Sequence, residues 1–424
     1  MNLVLLLMGM SSRQVVLSLP QTIELSRDSA FSSMVASERQ REVLQRSGEA
    51  RSRLLPRLEL SASQLGQSSN LATFGLDLPG ANPYIPFHSI QDLRISGSVP
   101  LVNMGLWSRW RESGLGEGVA ALDREAAQDA AGLQGGLAWL DLARAELLAK
   151  DRQAGLALAT RLRGMTQDQV DAGAATRLDL VRAQSQELQV RRALSVALMA
   201  REHAQVMARR ILHLAFDDTL VIDGPLQMEP TSEDVDSAGD WTPPAVRSAL
   251  SRVAAADAGV ATERRSGLPQ LAAFANYGFL GAHLERDGLW TGEVGVVAKW
   301  EVFDGLQREA KVGQAESRRR MAQMGVREAK LAAELDERDA LTAFRETSQQ
   351  LVLASQGSVL ADTELVLARE KFAQGASGNA EVVLAQGNLT QAHTLWIEAA
   401  AAHQAAVMRL RWARGDWKQR GERR

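Results

Sequence analysis

The chain states one passage twice. Gly173-Ala-Ala-Thr-Arg-Leu-Asp-Leu-Val-Arg-Ala-Gln184 returns as Gly375-Ala-Ser-Gly-Asn-Ala-Glu-Val-Val-Leu-Ala-Gln386, with no gap and an offset of 375 − 173 = 202 residues. In a chain of 424 residues that period is half the molecule. It is too long for a solenoid unit and points to a duplicated half-protein. The order of elements repeats with it. Each half reads helix, proline, alternating strand, loop, alternating strand, glycine, very long helix, glycine turn, return helix. Any fold for this chain has to accommodate that grammar twice.

The first repeat spans 18–215. A helix is expected over about 20–54, with Pro20 suited to its first turn, ending before Pro56. The period then changes from 3.6 to 2. Leu58, Leu60 and Ala62 alternate with Glu59, Ser61 and Ser63, and Leu93, Ile95, Gly97 and Val99 alternate with Arg94, Ser96 and Ser98. This predicts a two-faced strand pair over about 56–101. From about 115 to 172 the chain is Ala/Leu-rich with scattered charges, a helix of about 85 Å. It turns near Gly173 and returns over about 177–215. Residues 216–243, with Gly224-Pro225, Pro230 and Pro243-Pro244, read as a linker. The second repeat, 244–415, predicts a helix to about 266, a strand pair over about 269–303, a helix from Gly305 to about 373 and a return over about 379–413. A basic tail, 416–424, follows.

Composition removes several function classes. The formal charge is −3, so the chain lacks the basic footprint of a nucleic-acid binder. It contains 0 Cys, which excludes disulfides, thiolate metal sites, cysteine nucleophiles and acylation at cysteine. No apolar run approaches the roughly 20 residues of a membrane-spanning helix. A β-barrel stays open, because alternating strands barely raise hydropathy. Met1 to Met10 has an apolar core like the h-region of a signal peptide but no basic n-region, and no A-x-A site follows. Residues 1–17 are therefore read as a signal remnant, the alternative being an ordinary N-terminal segment.

One strand pair per half gives four strands, too few to close a barrel and with edges exposed. Three chains would supply twelve, a workable number. Ala-rich stretches such as Ala120-Ala121, Ala130-Ala131 and Ala399 to Ala402 let long helices approach closely. A coiled-coil rod would explain the helices, but not two equivalent hairpins.

With these features in place, the chain from about 18 to 415 resembles the TolC-like outer-membrane efflux proteins. The resemblance rests on paired motifs and the repeat. Arg53-Leu-Leu-Pro-Arg-Leu58 and Arg265-Ser-Gly-Leu-Pro-Gln-Leu271 lead into the strand pairs. Pro100-Leu-Val-Asn-Met-Gly105 and Glu301-Val-Phe-Asp-Gly305 lead out of them. The tip motif stands at Gly173 to Gln184 and Gly375 to Gln386. The resemblance implies a mainly α, α+β chain. Three such chains would form an outer-membrane β-barrel with four strands from each, continued by a long α-helical periplasmic tunnel. It implies a homotrimer in outer-membrane lipid, docked to a periplasmic adaptor and an inner-membrane pump. The duct would serve efflux of small molecules or ions, or type I protein secretion. The alternative is a non-membrane long-helix scaffold or periplasmic adaptor, which predicts one hairpin region and a compact β domain.

The resemblance assigns adaptor docking to Gln169, Val170, Ala172, Gly173 and Ala174 in one repeat and to Phe372, Gln374, Gly375, Ala376 and Ser377 in the other. The residues flanking both glycines depart from the apolar pair usual in the family. Asp362, Glu364 and Glu370 are the carboxylates nearest the expected pore constriction, the plainer reading being a solvated helix face. Trp107, Trp110 and Trp300 stand where a membrane-interface girdle is expected, against ordinary packing at a strand–helix junction. Asp179 and Glu381, just inside the return helices, suit the positive helix end. The six histidines form no ligand-spaced helical pair, and no G-x-S-x-G, P-loop or phosphate-cradling loop is present. No catalytic residue, metal or cofactor is expected.

Overall fold

The computed structural model describes residues 14–70, 75, 82, 84–230, 241–281, 288–374, 376 and 378–415. In chain order the elements are β1 (Gln14–Ser18), α1 (Leu19–Ser29), α2 (Phe31–Ser52), β2 (Arg57–Asn70), β3 (Tyr84–Val102), α3 (Met104–Asp171) and α4 (Arg177–Leu212). There follow β4 (Thr219–Asp223), α5 (Pro244–Arg265), β5 (Gln270–Gly281), β6 (Leu289–Lys299), α6 (Gln307–Ala373) and α7 (Asn379–Arg414). The chain divides into two compact units. One comprises residues up to Glu38, Leu122–Arg247 and from Glu328 onward; the other comprises Arg39–Ala121 and Ser248–Arg327.

The repeat is written in element lengths. α2 and α5 have 22 residues each, α3 and α6 have 68 and 67, and α4 and α7 have 36 each. From α2 to α5 the offset is 244 − 31 = 213, but from α4 to α7 it is 379 − 177 = 202. Of this difference of 11, the strand-pair region accounts for 10 residues, (104 − 52) − (307 − 265), and the one-residue-longer α3 for the rest.

In the first unit the core lies where a small parallel sheet meets the long helices. β1 pairs with β4, Val16 opposite Val221. Leu17 and Leu220 pack with Trp139 and Leu142 of α3, Leu212 of α4, Leu351 of α6 and Ala400 of α7. Trp139 Nε1 donates to the Leu17 carbonyl at 2.7 Å, so the buried indole loses no hydrogen bond. Gln14 to Leu17, within the stretch read as a signal remnant, thus form a strand, and β4 lies within the stretch read as a linker. Residues 1–13, the acidic part of the linker at 231–240 and the tail at 416–424 lie outside the described residues.

The expected helix over 20–54 is two helices, because Ala30 is extended (φ −60°, ψ 139°) and buried. Serine side chains anchor this break. Ser26 Oγ donates to the Ala131 carbonyl and Ser29 Oγ to the Leu212 carbonyl. α1 also seats against glycines of α3: a Cβ on Gly135 would collide with Ser26 and lie 3.1 Å from the Thr22 carbonyl.

In the second unit four antiparallel strands run in the order β2-β3-β5-β6. α3 begins at Met104, earlier than the expected 115. Asn103 follows β3 and caps the helix, its Oδ1 accepting from Leu106 N–H at 2.9 Å. In the second repeat Asp304 Oδ2 accepts from Arg308 N–H at 2.9 Å in the same role. The motif leading out of each strand pair is thus a helix start. Gly305 and Leu306 between them take left-handed φ values of 68° and 70°.

Candidate functional site

Three places carry the functional expectations: the sheet, the two helix tips and the carboxylates above the second tip.

Cross-strand register sorts the sheet into two faces. Leu60, Ile95, Tyr277 and Gly292 stand in one row, Ala62, Leu93, Phe279 and Trp290 in the next, and Leu58, Gly97, Ala275 and Val294 on the other side. Leu58 is 77% exposed and Val294 84% exposed. The opposite face carries Glu59, Ser96, Asn276 and Glu293 in one row and Ser61, Arg94, Gly278 and Thr291 in the next. Arg94 bonds Asp92 and Asn276 at 3.3 Å, and Asn276 bonds Glu293 at 3.1 Å. Leu271 to Phe279 on the apolar face rise about 27 Å along β5. Tilted by about 40°, they cover about 21 Å of the roughly 25 Å lipid band of a membrane barrel. β2 and β6 are edges with no partner among the described residues.

Trp107 and Trp110 lie on the first turns of α3, edge to face with centroids 5.6 Å apart, and Trp300 lies one residue beyond β6. With Ser47, Arg111, Glu117 and Arg265 the two α3 tryptophans line a cavity of about 650 Å³.

At the first tip α3 ends in a left-handed Gly173, φ 74°. Ala174 N–H donates to the Gln169 carbonyl at 2.7 Å, five residues back, which satisfies an orphan helix carbonyl. At the second tip Ala376 N–H donates to the Lys371 carbonyl at 2.9 Å, the same bond 202 residues on. Ala172, Gly173, Ala174, Gln374 and Ala376 are exposed, and Gln169 and Val170 half-buried. Gly375 and Ser377 lie outside the described residues. Phe372 points inward and packs with Leu162, Leu365, Val382 and Ala385.

The return helices start differently. Thr176 and Asp179 form a reciprocal capping box: Asp179 N–H donates to Thr176 Oγ1 at 3.2 Å, and Thr176 N–H donates to Asp179 Oδ2 at 3.1 Å. The hydroxyl and N–H of Thr176 hold the Asp179 carboxyl below the usual range, with a smaller contribution from Arg182. At α7 the N-cap is Gly378, without a side-chain bond, and Glu381 supplies the first-turn charge alone.

All three constriction carboxylates are exposed on α6. Two have partners on α7: Glu364 accepts from Asn388 Nδ2 at 3.1 Å, and Asp362 faces His393 Nε2 at 3.4 Å. His393 Nδ1 is 2.9 Å from Asp151 Oδ1 on α3. Sequence spacing conceals this constellation, because its members lie 242 and 31 residues apart. A second α7 histidine, His403, is buried beside Phe344 and Thr347, and burial lowers its pKa. Among the described residues no cluster of His, Asp and Glu could hold a metal.

Residues 242–416, which include the whole second repeat, match the family described as "Outer membrane efflux protein". The fold of the first repeat matches too, since solved channels superimpose on almost the entire chain. Over residues 242–416 the chain matches that family, and along almost its whole length it has the fold of solved outer-membrane channels. The CmeC outer membrane channel of Campylobacter jejuni aligns with a TM-score of 0.76 at 15% identity, covering 94% of this chain and 85% of that one. VceC of Vibrio cholerae aligns at 0.73 and 17%, covering 94% and 96%. The open-state MtrE channel of Neisseria gonorrhoeae aligns at 0.68 and 17%, covering 94% and 88%. At such identities the likeness shows the fold. No curated protein matches by sequence. This efflux-protein fold carries two strand pairs in one sheet, where the scaffold alternative predicted a single hairpin region. The family is one of transport proteins rather than enzymes.

Proposed function

We propose that three copies of this chain close their sheets into one twelve-stranded outer-membrane barrel, continued by a periplasmic duct of long helices. The observation that carries this is the four-stranded sheet, with both edges open among the described residues, one face apolar and exposed, the other polar in its central rows. An apolar face of this extent is a liability in water and a requirement in lipid. Pairing β6 of one copy with β2 of the next removes every edge. The polar face then lines a wet passage.

The helices support the same assembly. A groove of about 870 Å³ between α3 and α4 is lined by Leu137, Leu148, Val196 and Met207. Leu353, Leu360 and Leu367 of α6 are exposed, as are Leu384 and Leu395 of α7. α6 also contains a stretch long and apolar enough to cross a membrane by length and composition, although scattered polar residues interrupt it. Neighbouring copies covering these faces account for them without placing α6 in lipid. The duct performs no bond chemistry. It passes small molecules, ions or a secreted protein from an inner-membrane pump, sealed by an adaptor at the helix tips.

The chain has no cysteine of its own, so introduced ones report cleanly. Cysteines placed singly along Leu58 to Ala62 of β2 and Val294 to Ala298 of β6 should cross-link chains into trimers at one register. A monomer in mild detergent, with no β2–β6 cross-link at any register, would sink the assembly.

A further inference from the structure

Three helices of the first unit meet at one histidine. His393 on α7 places Nδ1 2.9 Å from Asp151 Oδ1 of α3 and Nε2 3.4 Å from Asp362 Oδ2 of α6. Ionised carboxylates only accept, and a neutral imidazole carries one N–H and one lone pair. Both contacts can therefore be hydrogen bonds only when the ring is an imidazolium. Histidine is the side chain whose charge changes between about pH 5 and 8.

We propose that His393 is a pH-dependent clasp: protonated, it fastens α6 to α7 and α3; neutral, it keeps α3 and releases α6. The two contacts differ in a way that fixes which one is lost. The Asp151 side chain is 18% exposed and at the shorter distance, whereas the Asp362 side chain is 57% exposed. A neutral ring keeps its proton on Nδ1 for Asp151, leaving the Nε2 lone pair facing the Asp362 carboxylate.

The surrounding charges agree. Arg152 on α3 lies 4.0 Å from Asp151 Oδ2 and donates to the Thr390 carbonyl and Thr394 Oγ1 of α7. The α3–α7 contact thus has a strut indifferent to pH in this range. From α6 the facing charge is Asp362. On α7 the nearest other charge along the sequence is Glu398, and Arg144 of α3 and Arg192 of α4 line the adjoining groove with it. About one turn toward the tip Glu364 and Asn388 also join α6 to α7, without a histidine. The response is therefore confined to the α6 segment around Asp362. Its effect on the duct mouth rests on the transport reading above; the clasp itself does not.

Hydrogen exchange on the full-length protein in detergent tests it, using protection factors for α6 peptides around Asp362 and α3 peptides around Asp151. In the wild type the α6 segment should be about two- to five-fold better protected at pH 6 than at pH 8.5, the scale of an exposed ion pair. The α3 segment should not change. His393→Gln and the milder surface change Asp362→Asn should each abolish the α6 difference. An α6 response that persists in either variant, or its absence from the wild type, overturns the clasp. Bilayer conductance of the same samples keeps the two readings apart, because a protein that forms no pore would refute the duct and leave the exchange result standing.

Discussion

Thr176 and Asp179 show how one residue pair sets the start of a 36-residue helix. Two orphan N–H groups find side-chain oxygens there, while the matching position in the second repeat is a glycine without a side-chain bond. Thr176→Ala should lower local stability by about 0.5–2 kcal/mol. The check is hydrogen exchange in the first turn of α4, with the first turn of α7 as internal reference. Unchanged exchange in α4 would deny the cap any energetic role. The pH dependence has a definite sign. The Asp179 carboxyl is held below its ordinary value by Thr176. Its stabilisation is therefore present above the unfolded carboxylate pKa of about 3.9 and is lost as pH falls through the lower folded value. At neutral pH the cap is fully engaged.

At the scale of elements, the glycines of α3 divide into two kinds. Gly135 faces Ser26 and Thr22 of α1, and Gly136 faces Met408 of α7, whereas nothing stands within 4 Å of a Cβ on Gly164. Gly135→Ala should cost about 1–3 kcal/mol, because backbone as well as side chain must shift. Gly164→Ala should be neutral or gain up to about 1 kcal/mol from helix propensity. Thermal unfolding of both variants decides this, and equal effects would refute the close α1–α3 seat. The same elements show what was legible in the sequence. Order, period and approximate length of the long helices followed from residue patterns that are local. The break at Ala30 did not, since the bonds that hold it reach Ala131 and Leu212. The β1–β4 pair joins segments 219 − 14 = 205 residues apart and gives no local signal in strands of five residues. α3 starts at Met104 rather than near 115, despite Gly105, Gly114, Gly116 and Gly118, because the cap at Asn103 and packing outweigh their weak propensity.

At the scale of the whole molecule, duplication means that each copy would present two related tips, and three copies would present six. Both tips share one backbone bond, Ala174 to Gln169 and Ala376 to Lys371, despite different side chains. A partner recognising both would have to read backbone and small residues, which suits the exposed Ala172, Gly173, Ala174, Gln374 and Ala376. Phe372 stands apart, since its ring is committed to the core of the second tip. Two classes of variant therefore separate docking from folding. Ala174→Glu and Ala376→Glu should leave the protein folded, trimeric and in the outer membrane, yet reduce cross-linking to a co-expressed periplasmic adaptor several-fold, most strongly when combined. Phe372→Ala should lower thermal stability by about 3–5 kcal/mol and weaken adaptor capture only through that loss, so that cooling restores it. If the glutamate variants capture adaptor as well as wild type while Phe372→Ala fails even when folded, the contact surface is centred on the aromatic ring and the backbone reading of the tips is wrong.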